Sequence, residues 1–431
     1  MIESLAVVSG ERRVGGIAQL RGGRLEFTYD EQWRSANDGY PLSLSMPRLA
    51  LTHADAAVKA YLWGLLPDNE LILGQWARRF GVSANNPFAL IAQVGEDVAG
   101  AMQFVTEERF ERLRVGGPAA GSVDWLTEKE VAERLELLHT DTAAWRLGTD
   151  TGQFSLPGAQ PKTALLYDGK RWGVPSGHIP TTHILKPTHV QFDGLPENEH
   201  LCLDLAQRLG LPAAASKVLR FGDEVAISIE RFDRVATNGR WERVHQEDCC
   251  QALGVDPRQK YESQGGPSAV NVAELVNTFS SRRAQDLWTF VRSLIYNWLI
   301  AGTDAHAKNY AVLIDGGDLV RLAPLYDIAS ALAYPRAIPV QKAKMAMKVG
   351  GEYLVRRIGR SHWEELAAAV RLSPEGVVVE AIKIALQLPD CVSDAVKMAH
   401  EQGLRHPIMA TLKDAIQARA TWCAKGLSSR G

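Results

Sequence analysis

The first thirty residues alternate apolar and polar side chains around glycine turns, in SLAVV (4–8), VGGIAQL (14–20) and RLEFTY (24–29). Period-two alternation marks strands with one buried face, so this stretch predicts an antiparallel meander. From about Ala54 to Phe104 the spacing turns helical around YLWGLLPDNE (61–70), with a return to strand near GAMQF (100–104). RVGGPAAGS (114–122) has linker composition. Thr127 with Glu130 then reads as a capping box, and Val131, Leu135 and Leu138 share the face of the helix it opens. Short strands return between Phe154 and Val235, in TALLYD, RWGVP, THILK, VLRF and VAISIER. Beyond Val244 the pattern is helical to the end of the chain, apart from one loop and hairpin. No internal repeat or low-complexity tract interrupts it.

The longest apolar stripe is Leu287, Phe290, Val291, Leu294, Ile295, Trp298 and Leu299, spaced as one face of a helix with Gly302 as its C-terminal stop. Seven such side chains, at roughly 1.5–3 kcal/mol each when buried, give the next residues a rigid support. Those residues are TDAHAKN, Thr303 to Asn309. An Asp and an Asn five positions apart are the core of a phosphoryl-transfer loop of the protein-kinase type, in which the Asp takes the substrate hydroxyl and the Asn holds magnesium. Asp304 and Asn309 fit those roles. Any surface turn can carry the same two residues, so the flanks matter. AVLI (311–314), DGGD (315–318) and LVRL (319–322) predict a hairpin, and PLYDIAS follows with Asp327, where such a site keeps its second metal ligand.

The chain has 431 residues, 46% hydrophobic and 23% charged, enough for two or three domains with ordinary cores. A formal charge of −2 argues against a nucleic-acid footprint over the whole protein. The five cysteines, Cys202, Cys249, Cys250, Cys391 and Cys423, have neither a secretory nor a zinc spacing and read as reduced and buried. No signal peptide opens the sequence. Arg292 and Asn297 interrupt its most apolar helix, so no membrane span and a cytoplasmic location are expected.

A kinase also needs a strand lysine for the nucleotide phosphates, and Lys186 at the end of THILK is placed for it. A lone strand-end lysine is more often a solvated edge residue. A phosphate-cradling turn should precede that strand, where SLPGAQPKT (155–163) lies. It is neither a Walker loop nor GxGxxG. Ser155, Leu156, Gly158, Ala159, Gln160 and Lys162 supply donors for an anion nest, whereas Pro157 and Pro161 have no N–H. Glu230, Phe232 and Asp233 sit at a strand end where a hinge would meet adenine; a solvated strand end with a buried Phe is the alternative. His306 with Asp304 and Asp327 suggests a hydrolase-type metal site, but no second His follows at ligand spacing, and a His bonding the loop backbone is favoured. Arg336, Lys342, Lys344, Lys348, Arg356, Arg357 and Arg360 form a basic segment (336–360) with only Glu352 against them. Such a run reads as a solvated face or a phosphate-contacting surface.

Together SLPGAQPKT, THILKP, ERFDR, HQEDCCQALG (245–254), KYESQGGP (260–267), TDAHAKN and PLYDIAS resemble the HipA family of serine/threonine toxin kinases, and GYPLSLSMP (39–47) and LLPDNE (65–70) resemble that family's accessory domain. The resemblance implies an α+β, protein-kinase-like bilobal fold: an accessory α+β domain (1–113), a linker (114–126), a small β-rich lobe (127–240) and a large, mostly helical lobe (241–431). It implies ATP- and magnesium-dependent phosphorylation of a serine on a translation-related protein, in well-studied members an aminoacyl-tRNA synthetase, with growth arrest. By motif, Asp304 is the catalytic residue and Asn309 and Asp327 the magnesium ligands. Ser155, Gly158, Ala159, Gln160, Lys162, Lys186, Glu230, Phe232, His306, Lys308, Asn309 and Asp327 become the ATP-binding set. Ser155 is also the expected autophosphorylation site. The family's partner is a HipB helix-turn-helix antitoxin, through which operator DNA is bound, and segment 336–360 is a candidate for touching that DNA. A catalytically quiet kinase-fold corepressor is the alternative function.

Overall fold

A computed structural model describes residues 3–115, 121–141, 144, 154–189 and 191–428. The chain divides into two compact units. One comprises Met1–Pro187, Arg220–Arg258 and Val312–Val320; the other comprises Thr188–Leu219, Gln259–Ala311 and Arg321–Gly431.

In the first unit the predicted meander forms and gains a strand at each edge. The antiparallel order is Thr52–Ala54, Leu25–Tyr29, Arg12–Gln19, Ser4–Ser9 and Met102–Val105. Its apolar positions, among them Leu5, Val7, Ile17, Phe27 and Phe104, are fully buried or nearly so, and helices Asp55–Gly64 and Pro87–Val94 pack on the sheet. Within a second, six-stranded sheet, Glu224–Glu230, His183–Pro187, Thr163–Tyr167, Trp172–Pro175 and Val123–Leu126 lie side by side and antiparallel. Val123–Leu126 falls in the expected linker, of which residues 116–120 lie outside the described residues. The capping box forms as read: Thr127 Oγ1 accepts from the Glu130 N–H, and Glu130 Oε2 accepts from the Thr127 N–H at 2.7 Å. It starts helix Glu128–Thr140, whose Val131, Leu135 and Leu138 are buried.

The second unit is helical but contains two elements that the sequence pattern did not announce. Helix Leu195–Arg208 interrupts what read as a continuous run of strands, and the strand pair Lys344–Val349 and Glu352–Leu354 interrupts what read as helix. Pro196 and the charged Glu197 and Glu199 hid the helix, because both glutamates are buried and blur its apolar stripe. The basic side chains of Lys344 and Lys348 hid the strand, although the Met345, Ala346 and Met347 between them are buried. In the first unit, strand His245–Asp248 also lies beyond Val244, beside the predicted hairpin.

The stripe from Leu287 to Leu299 is buried in helix Arg283–Leu299, as its spacing predicts. Trp298 packs edge-on against Trp363 at 5.5 Å and donates its indole N–H to Val355 O at 2.9 Å. Arg419 donates to Trp298 O at 2.9 Å, so a buried guanidinium caps the end of the helix. Among the described residues no helix is long and apolar enough to cross a membrane. All five cysteines are free; four are buried, and Cys391 is half-buried rather than buried.

Candidate active site

Helix Arg283–Leu299 does not stop on Gly302. Ala301 takes the left-handed conformation at φ 52°, the Ala301 N–H reaches Trp298 O, and the Gly302 N–H reaches Asn297 O at 2.7 Å. This is a Schellman cap with alanine in the position glycine usually fills, at a strain of roughly 1–2 kcal/mol. Gly302 is needed for a different reason: a Cβ there would lie 2.3 Å from Asn297 Oδ1. Two later donors secure the strained end, Ser330 Oγ to Ile300 O at 2.6 Å and Ala331 N to Ala301 O at 3.1 Å.

The TDAHAKN loop closes on itself immediately after that cap. The Asp304 carbonyl accepts from the His306 N–H at 2.8 Å and from Asn309 Nδ2 at 2.7 Å, and the Asn309 N–H reaches His306 O at 2.9 Å. The five-residue spacing thus becomes one tight turn with Asp304 at its exposed tip and the side chains of His306, Lys308 and Asn309 buried beneath. His306 is buried, with its ring edge-on to Tyr261 at 4.9 Å and its Nε2 4.0 Å from Asp304 Oδ1. The Tyr261 hydroxyl donates to Asp304 Oδ1. Strands Ala311–Asp315 and Leu319–Leu322 form the predicted hairpin. After it, Tyr326 donates to Lys308 O at 2.6 Å, so Asp327, in the left-handed region at φ 56°, lies between this tie and the ties of Ser330 and Ala331 to the helix end. Asn309 spends its amide nitrogen on the loop and retains an oxygen; with the Asp327 carboxylate this is the hard-oxygen donor chemistry magnesium takes beside phosphates and water.

In the first unit the SLPGAQPKT loop is pinned from a distance. The Ser155 hydroxyl, fully buried, donates to Leu65 O at 2.8 Å, and its N–H donates to Asp97 O at 2.9 Å. Gly158 forms a parallel bridge with Pro67, and its carbonyl accepts from the Asp68 N–H at 3.1 Å. LLPDNE is therefore the mate of this loop. Ser155 cannot act as a phosphate donor in this conformation, contrary to expectation, because both of its donors are spent on backbone carbonyls. Lys162 turns back to Pro157 O at 2.9 Å and covers Gly158, where φ is 112° and a Cβ would lie 2.5 Å from Lys162 Nζ. Ala159 is exposed and Gln160 half-buried at the tip.

Lys186 is not a solvated edge residue. Its strand, His183–Pro187, is interior, flanked by Glu224–Glu230 and Thr163–Tyr167, and the side chain is 5% exposed opposite Ile227. Glu230 is exposed at its strand end, and Phe232 is half-buried. Between and beside these two, ERFDR does something the sequence did not reveal. Arg231 and Arg234 join Asp233, Asp97 and Arg243 in a buried ionic network, with Arg231 to Asp233 at 2.8 Å and Arg234 to Asp97 at 2.8 Å. Burial alone would raise the Asp97 carboxyl, but the guanidiniums of Arg234, Arg231 and Arg243 outweigh it and hold the group well below the usual carboxylate range. The pairing of Asp97 with Arg231 and Arg234 joins segments 134 and 137 residues apart, which no local spacing reveals.

The basic segment is divided in structure. Arg360 donates to Leu427 O and pairs with Glu364, and Arg357 faces Glu352 at 3.8 Å, while Arg336, Lys342, Lys344, Lys348 and Arg356 are exposed.

Comparison with known proteins identifies the family and the fold. The HipA N-terminal domain model matches residues 5–105, and the HipA-like C-terminal domain model matches residues 154–394. Putative kinase Y4mE of Sinorhizobium fredii is 35% identical over 357 residues, 83% of this chain and 83% of that protein. Serine/threonine-protein kinase toxin HipA of Shewanella oneidensis is 28% identical over 385 residues, 86% of this chain and 84% of that protein. A chain in the solved complex of Shewanella oneidensis MR-1 HipA, HipB and operator DNA superposes with a TM-score of 0.83 at 25% identity, covering 98% of both chains. The fold is α+β and kinase-like, and the chain belongs to the HipA family of serine/threonine kinase toxins.

Proposed function

We propose that this chain is a toxin-type serine/threonine kinase that transfers the γ-phosphoryl group of ATP to a protein serine. The observation that carries the proposal is the turn in which Asn309 holds the Asp304 carbonyl at 2.7 Å, leaving the Asp304 side chain at an exposed tip. In the transfer, the serine oxygen bonds to the γ-phosphorus, the bond from that phosphorus to ADP breaks, and the serine proton passes to the Asp304 carboxylate. Asn309 and Asp327 would hold magnesium, which would neutralise phosphate charge when bound. In the first unit, Lys186 and the loop residues Gly158, Ala159, Gln160 and Lys162 are the proposed phosphate-binding groups. His306 and Lys308 support the loop, and Glu230 and Phe232 border the adenine.

Self-modification at Ser155 requires the loop to leave Leu65 and Asp97, since the hydroxyl is enclosed. A phosphate there, at about −1.5 to −2 charge, has no room in the enclosed position and keeps the loop out. By resemblance the external target is an aminoacyl-tRNA synthetase. Because the structural neighbour was solved with HipB and operator DNA, a HipB-like antitoxin is the proposed partner, with operator DNA bound through it and the basic segment 336–360 as its secondary contact. That same complex supports the second reading, a quiet corepressor; expression without antitoxin separates the two, because a pure corepressor leaves growth unaffected.

Incubation of purified protein with γ-labelled ATP and magnesium should label it at Ser155, and Asp304→Asn should lower the rate by roughly 10²–10⁴-fold. Unlabelled wild-type protein that mass spectrometry shows to be unmodified at Ser155 would overturn the kinase assignment.

A further inference from the structure

The exposed Asp304 side chain has a backbone locked by the turn, and within the turn its carboxylate faces His306 Nε2 at 4.0 Å, beyond hydrogen-bond reach. A carboxylate on a rigid backbone still rotates about two bonds, and a reacting group gains from being held in one orientation. The hydrogen bond to Oδ1 comes from outside the loop, from Tyr261, forty-three residues earlier. Tyr261 is itself held in place. Its carbonyl accepts from the Gln264 and Gly266 N–H groups at 2.9 and 3.0 Å, closing a tight turn. Its ring meets the buried His306 ring edge-on. The next residue, Glu262, accepts from the Lys348 N–H at 2.7 Å and ties the turn to strand Lys344–Val349. The phenol thus arrives on a braced support. It does not cover the site, because the Asp304 side chain remains 64% exposed.

We infer that Tyr261 is a positioning residue that holds the Asp304 carboxylate in the orientation from which it takes the substrate proton; this rests on the kinase reading of Asp304. The phenol is neutral and donates, so it fixes one carboxylate oxygen without consuming the negative charge. Removing the hydroxyl while keeping the ring preserves the contact with His306 and removes only the hydrogen bond to Asp304 Oδ1.

The test uses the full chain with Tyr261→Phe, Tyr261→Ala and Asp304→Asn. With tyrosine labelled at 13Cζ, the Tyr261 resonance is assigned by its loss in Tyr261→Phe, and it should move in Asp304→Asn as the anionic acceptor is lost. A resonance that stays in place overturns the inference at any level of activity. In steady-state kinetics, Tyr261→Phe should lower kcat about tenfold, the loss expected for a loosened reacting group, with KM for ATP within about twofold and an unchanged melting temperature. A Tyr261→Phe protein as fast as wild type or faster overturns the positioning role. So does a loss that appears only in Tyr261→Ala together with a lower melting temperature, since that marks packing. If the resonance moves but wild-type protein transfers no phosphate, the kinase reading fails and the positioning role falls with it; if wild type is active and Tyr261→Phe is unaffected, only the positioning role fails.

Discussion

The two loops expected to handle phosphate are held by opposite strategies. The Asp304 turn is built almost from its own residues, with its defining hydrogen bond spanning five positions. The Ser155 loop leans on Leu65, Pro67, Asp68 and Asp97, and its serine bond spans ninety. A self-contained turn keeps its geometry wherever its supporting helix goes. A loop fastened to a distant segment inherits the stability of that segment, and it can be released when those few contacts are exchanged.

That difference can be broken at its far end first. Asp97→Ala removes the carboxylate facing Arg234, Arg231 and Arg243 and leaves buried guanidiniums uncompensated, so the first unit should lose roughly 3–5 kcal/mol in urea denaturation. Because Asp97 also anchors the Ser155 N–H through its backbone, which alanine keeps, any accompanying rise in protease cleavage at the Ser155 loop would report the network and not the lost acceptor.

A second prediction concerns another distant tie. Burial pushes the Glu247 carboxyl up to about 8, against hydrogen bonds from Ser43 and the Leu44 N–H. The folded protein therefore keeps this proton where the unfolded chain, near 4.5, has lost it. The resulting stability is complete below pH 4.5 and is lost as pH rises through 8. Glu247→Gln should match wild type at pH 5 and exceed it by on the order of 2 kcal/mol at pH 8. Burial also pushes His245 down to about 4, which lowers stability as pH falls from 6.5, but this contribution is common to both proteins. Equal urea midpoints at pH 8 would refute a buried neutral Glu247.

The smallest effect belongs to the self-contained loop. Ala301→Gly relieves a left-handed alanine and should stabilise the second unit by roughly 0.5–1 kcal/mol. Calorimetry showing no gain would mean that the cap carries no strain, and a changed kinase rate would show that the turn depends on its support after all.

These contrasts explain what was legible. Asp304, Asn309, the hairpin and the supporting stripe could be read because each partner lies within a turn or two of chain and its spacing carries the geometry. The capping box of Thr127 and Glu130 was legible for the same reason. Tyr261 could be seen only as part of the string KYESQGGP, without a role, because its partner is forty-three residues away. ERFDR was read only in part. Its strand-end position suggested adenine contacts for Glu230 and Phe232 but not that Arg231 and Arg234 engage Asp97, 134 and 137 residues distant. Helix Leu195–Arg208 was missed because buried glutamates contradict the apolar pattern by which helices are recognised.

The network around Asp97 also sets where this protein can be cut. A shortened chain that begins after residue 113 would retain Arg231, Arg234 and Arg243 but lose Asp97, along with Leu65, the acceptor for Ser155. Expressed alone, such a fragment would carry three interior cations against the single Asp233. The accessory segment is therefore part of the interior of the strand-rich lobe, and the smallest piece suited to isolated study starts at the first strand.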